Sequence, residues 1–111
     1  MTKFMVLYRS AVPAREQMAS ATAEQAQAGM DAWMAWAAKA GDAIVDLGAP
    51  LAGATHVGAG SQGGDSSDIT GFSILQAESA DALTALLDGH PHLQMSGSSI
   101  KVLEFVPMPG G

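Results

Sequence analysis

The stretch 69–107 constrains this fold more than any other part of the chain. Residues 70–77 (TGFSILQA) read as a strand and 79–88 (SADALTALLD) as a short helix, closed by Gly89 with Pro91 just beyond. Residues 100–106 (IKVLEFV) then read as a second strand. Gly, Ser, Asp and His-Pro punctuation falls only between these elements, where the chain must turn. Leu83, Leu86 and Leu87 give the short helix an apolar stripe to lay on a sheet.

A second constraint stands near the start. In 3–9 (KFMVLYR), Phe4, Val6 and Tyr8 share one side of a strand while Met5 and Leu7 share the other. A strand apolar on both sides needs cover on both faces. The chain's own helices can supply one layer, and no segment is left over for a second. With 111 residues the chain is one domain, and much of its 48% hydrophobic content is alanine, which buries little area. Such a domain has a motive to bury its remaining apolar face against a second copy.

Between these anchors the chain reads as mainly helical. Pro13 suits the first position of a helical turn, and a break near Ser20 precedes the capping-box spacing of Thr22 and Gln25. The main helix runs over 23–40 and stops at Gly41, with Ala26, Met30, Trp33, Met34 and Ala37 forming one stripe. Met30, Trp33 and Met34 are sized to cover a sheet. Gly29 weakens the helix by about 1 kcal/mol relative to alanine or permits a close approach. Trp36 sits beside the stripe, as a pocket edge, a subunit contact or peripheral packing. Two segments, 42–47 and 55–57, compete for the second strand; Gly48, Ala49 and Pro50 read as a turn, and 58–68 (GAGSQGGDSSD) as a flexible loop. The order is strand, helix, strand, strand, helix, strand. This is the α+β ferredoxin-like βαββαβ pattern, a four-stranded antiparallel sheet with two helices on one face.

Charge narrows the partners. The net charge is −6 and the cations Lys3, Arg9, Arg15, Lys39 and Lys101 are scattered, which argues against nucleic acid and anionic membranes. There is no cysteine, so disulfides and thiolate chemistry are excluded. The run 4–8 is too short for a signal segment and 32–38 falls well short of a membrane span, so a cytoplasmic location is expected.

The segments KFMVLYR, DLGAPL, GFSILQAESADALTALLDGHPHL and IKVLEFVPMPG, in that order, resemble the YCII-related (DGPF-type) domain family. The resemblance implies a dimeric α+β barrel in which two ferredoxin-like sheets face each other. Activity in that family is mostly undefined. One branch resembles small-molecule lyases with a proposed dyad, a His early in the long helix and an Asp immediately before a Pro after the second helix. Here the first position corresponds to Met30, and the residue before Pro91 is His90. Neither dyad member is matched, so the resemblance implies the fold and not that mechanism.

Gly58, Gly60 and Gly63 satisfy GxGxxG, but a strand follows rather than the helix a dinucleotide needs. The same loop lacks the first glycine and the helix of a nucleophile elbow. Asp65 and Asp68 lack the ligand density of a calcium loop. His90 and His92 flank Pro91 and are the candidate acid–base pair; they equally suit a helix end and a turn. His56 stands alone on a Gly/Ala-rich segment, as a base or a hydrogen-bonded structural residue. Tyr8 ends a doubly buried strand, so its hydroxyl needs a partner. Asp46 is placed to shape the turn at Gly48.

The resulting expectation is a homodimeric barrel whose interior binds a small organic molecule. Tyr8, Trp36 and His56 would line it, with His90 and His92 available for lyase- or isomerase-type proton transfer that needs no cofactor or metal. The rival expectation is a non-catalytic ligand-binding or accessory domain.

Overall fold

The structure, a computed structural model, describes residues 1–53, 55, 57–58 and 68–108. Strand β1 (Thr2–Arg9) is followed by α1 (Ala14–Ser20), α2 (Ala23–Ala40) and β2 (Ile44–Pro50). Then come β3 (Ile69–Ala77), α3 (Ala80–Leu87) and β4 (Ser99–Glu104), with 3-10 turns at Gly41–Ala43 and Pro91–Gln94. The four strands form one antiparallel sheet in the order β2-β3-β1-β4. The α+β ferredoxin-like arrangement is therefore present, with β1 central.

Local chemistry accounts for the boundaries. Thr22 Oγ1 accepts the Gln25 N–H at 3.1 Å while the Gln25 side chain accepts the Thr22 N–H at 2.9 Å, a complete capping box that separates α2 from α1. Ser79 caps α3 by accepting the Ala82 N–H. The second strand is the earlier of the two competing segments. It also absorbs Gly48, Ala49 and Pro50, which the sequence suggested as a turn. Gly48 takes φ +86° and donates its N–H to Asp46 Oδ1 at 2.8 Å, so the strand bulges there and then resumes pairing at Ala49 with Phe72. A Cβ at Gly48 would lie 1.7 Å from the Phe72 carbonyl oxygen, so glycine is required. Thr55 and Val57 are not in a strand, and the glycine-rich motif and Asp65 lie within 59–67, outside the described residues save Gly58. β4 ends at Glu104, two residues earlier than the sequence suggested, although the Phe105 N–H still reaches the Lys3 carbonyl.

The core lies on one face. Phe4, Val6 and Tyr8 of β1 and Leu75 of β3 are buried against Leu83 and Leu87 of α3 and Trp36 and Ala40 of α2. The stripe on α2 differs from the expected one. Met30 and Met34 are 58% and 51% exposed, whereas Trp33, Trp36, Ala37 and Ala40 meet the core. Only the C-terminal half of α2 overlies the sheet, and residues 23–32 are all exposed. The i, i+3, i+4, i+7 line of those last turns therefore decides which side faces inward. This makes Trp36 a core residue, its indole N–H donating to the Leu86 carbonyl at 3.3 Å.

Among the described residues the opposite face of the sheet carries no helix. Ile74, Met5 and Leu103 lie in register across β3, β1 and β4, and Phe72 pairs with Leu7 beside them. Leu103 is 46% exposed in the single chain. The radius of gyration is 15.2 Å, against about 13 Å for a compact chain of this length.

Candidate functional site

The His-Pro-His segment is set by the end of α3. Gly89 takes φ +76° and turns the chain, after which the His90 N–H bonds the Leu87 carbonyl at 3.0 Å. Pro91 opens the 3-10 turn, and His90 caps it, its Nδ1 accepting the His92 N–H at 3.0 Å. Accepting at Nδ1 puts the ring proton of neutral His90 on Nε2. That ring is fully buried and packs against Trp36, Trp33 and Tyr8 at centroid distances of 4.3, 4.7 and 5.1 Å. Its Nε2 has no hydrogen-bond partner among the described residues. Burial, with a smaller contribution from the charge of His92, lowers its pKa to about 4.

His92 is held differently. Its Nε2 lies 2.8 Å from the Arg9 carbonyl and 3.0 Å from the Ser99 carbonyl. Both partners only accept, so Nε2 carries the proton and shares it between them. Nδ1 is then the lone-pair nitrogen, and no hydrogen bond engages it among the described residues.

Tyr8 is tied into the sheet. The Ser73 hydroxyl donates to the Leu47 carbonyl at 2.6 Å, so the Tyr8 hydroxyl donates to Ser73 Oγ at 2.8 Å. Burial raises the Tyr8 pKa, and the Ser73 bond offsets part of that rise. Next to it, Thr70 Oγ1 donates to the Tyr8 carbonyl at 3.2 Å. Arg9 and Asp68 form an ion pair at 2.6 Å at the end of β1, about one-third exposed on each side.

Tyr8, Thr70 and His92 border a cleft of about 480 Å³ between the exposed helices and the β2–β3 end of the sheet. They form its polar wall; Trp33 and the methionines Met18, Met30, Met34 and Met95 form much of the rest. The structure thus brings together two of the sequence-derived site residues, Tyr8 and His92. His90 and Trp36 stand behind them in the core and do not border the cleft, and His56 lies outside the described residues. The cleft is also not the interior of a barrel between two sheets. Tyr8 shares the helix-covered side with Phe4 and Val6, away from Met5 and Leu7, because strand side chains alternate. Thr70 and the methionines were missed. The spacing of Met30 and Met34 around Trp33 pointed to one surface, and only the reach of the sheet shows that it overhangs a cleft. Among the described residues no cluster of His, Asp or Glu could hold a metal ion, and no helix is long and apolar enough to cross a membrane.

No family model and no curated protein matches the chain. Among solved structures it is similar to 5-chloro-2-hydroxyhydroquinone dehydrochlorinase from Burkholderia phenoliruptrix, in complex with 2,5-dihydroxybenzoquinone. The identity is 19% over 89% of this chain and 90% of that one, with a TM-score of 0.46.

Proposed function

We propose that this chain is a homodimeric α+β domain that holds a small, largely apolar organic molecule in the cleft under Met30 and Met34, with His92 as its acid–base group. The observation that carries this reading is the state of His92. Two backbone carbonyls fix its tautomer and ring plane, and the nitrogen left with a lone pair belongs to a ring on the cleft wall. A base held in this way can take a proton from a bound molecule and return it elsewhere, which suffices for lyase- or isomerase-type chemistry without a cofactor. Tyr8 is less suited to that task, since its proton is already given to Ser73. A cleft of this volume, mostly apolar with a few convergent polar groups, has the make-up of a small-molecule site.

The second reading is a non-catalytic ligand-binding domain. It is favoured by the lining itself, which among the described residues contains no Asp, Glu, Lys or Arg to relay a proton beyond His92. Gly29 separates the two readings from a third, that nothing binds. It borders the cleft, and a Cβ there meets nothing within 4 Å. Gly29→Phe should therefore fill the cleft while leaving the fold intact, and abolish uptake of small aromatic compounds measured by calorimetry. Unchanged uptake would remove the cleft from consideration. Catalysis is then tested by His92→Asn, which should erase turnover of any substrate found without erasing its binding.

Dimerisation through the helix-free face rests on its apolar row of Ile74, Met5 and Leu103. Light scattering should give twice the 11.3 kDa chain mass at low micromolar concentration. Ile74→Lys should yield a folded monomer. A wild-type monomer under those conditions would refute the pairing.

A further inference from the structure

The hydrogen-bond directions around the cleft specify its ligand more closely than its shape does. Three polar side chains form the wall nearest the sheet, and all are nearly buried: Tyr8, Thr70 and His92. Each has already committed its hydrogen to the protein. Tyr8 gives its own to Ser73, Thr70 to the Tyr8 carbonyl, and His92 to the Arg9 and Ser99 carbonyls. What they retain are lone pairs: the phenolic and hydroxyl oxygens and His92 Nδ1. Hydrogens to spare are found instead on α1 and α2, in the Trp33 indole and in the second amide hydrogen of Gln17, whose first goes to the Val12 carbonyl. Among the described residues no Lys or Arg borders the cleft to neutralise an anion.

We infer that the cleft selects neutral aromatic compounds bearing a hydroxyl, of the phenol class, over the corresponding ethers and carboxylates. The inference rests on reading the cleft as a ligand site. A hydroxyl donates towards the acceptor wall and can still accept from Trp33. An ether offers no hydrogen, so the buried lone pairs that lost water stay unpaired. A carboxylate also offers none, and brings a charge with no partner into an apolar setting. The methionine thioethers suit the ring faces of such a ligand, being polarizable and able to adjust to its outline.

The test uses naphthol, its methyl ether and naphthoate, titrated by calorimetry into the whole chain near neutral pH. Naphthol should bind at least about tenfold more tightly than its ether, the factor expected when one buried polar group loses its partner. Naphthoate should be the weakest. Thr70→Val should narrow the gap between naphthol and ether, weakening naphthol by the loss of an acceptor and relieving the ether of one unpaired group, and Gly29→Phe should block all three. Equal affinities of naphthol and ether in the wild type, both blocked by Gly29→Phe, would overturn the preference and leave the cleft standing as a site. Binding that ignores Gly29→Phe, or no binding of any of the three, would overturn the cleft reading itself. Tightest binding of naphthoate would overturn the charge argument. The wild-type comparison decides even where the Thr70 variant does not fold.

Discussion

Replacing His90 by phenylalanine should change stability little at neutral pH and make the chain more stable in mild acid. At pH 7 the His92 N–H loses its acceptor, while the buried Nε2–H that had no partner among the described residues is removed; the two effects, about 1–2 kcal/mol each, oppose one another. The gain in acid follows from the burial of the imidazole among Tyr8, Trp33 and Trp36. Its pKa is about 4 in the folded chain against 6.5 when exposed. The unfolded chain therefore binds this proton first as the pH falls. The stability associated with neutral His90 is complete above pH 6.5 and drains away as the pH drops towards the folded value. At pH 5 the wild type should have lost about 2 kcal/mol on this account, and at pH 4 about 3 kcal/mol. The variant has nothing to protonate at this position, so the difference between the two curves isolates the one group from the carboxylates common to both. Urea denaturation at half-unit steps from pH 7 to pH 4 would show the two curves diverging below pH 6.5, with the variant gaining on the wild type by about 2 kcal/mol at pH 5. Parallel curves would mean that His90 reaches solvent or a partner when charged, and the account of a core histidine would fail.

Four further outcomes are expected. Gly29→Ala should raise stability by about 1 kcal/mol and the melting midpoint by about 4 °C or more, because its Cβ meets nothing and the helix gains propensity. A drop measured by circular dichroism would show that something approaches this position closely. Gly48→Ala should cost at least about 3 kcal/mol, since the added carbon collides with the Phe72 carbonyl at a positive φ. A mild effect in the same melt would mean the bulge can relax. Ser73→Ala should cost about 2–3 kcal/mol by stranding both the Tyr8 hydroxyl and the Leu47 carbonyl, and Tyr8→Phe should add little further in a double-mutant cycle.

The fold was legible because its signals are local. The capping box at Thr22 and Gln25, the caps around α3 and the alternation of β1 are all decided within a few residues, and they fix the element order. Gly48 misled because a glycine between apolar residues marks either a turn or a bulge. Only pairing with β3 distinguishes the two. The facing of α2 also escaped, because Met30–Met34 and Trp33–Trp36 are adjacent lines on one helix. The choice depends on how far the sheet reaches beneath it. His90 and His92 are chemically alike in sequence, two residues apart around one proline. Their separation into a core cap and a cleft wall depends on carbonyls contributed by Arg9 and Ser99, which no local pattern announces. The cleft draws on six separate segments of the chain, so its composition was beyond reach of motif reading.

The central position of β1 also shapes how the chain must assemble. Its neighbours are β3 and β4, and the Tyr8–Ser73 bond alone spans 65 positions. During synthesis the FMVLY run emerges with no strand to pair with until residues 69–77 have followed. Helices α1 and α2 form on local information in the meantime, but they cannot hide a strand that is apolar on both sides. Closing that long loop is then the slow event, as expected where non-local pairing dominates. Until it closes, the nascent chain presents the short apolar, uncharged segment that chaperones and aggregates both recognise.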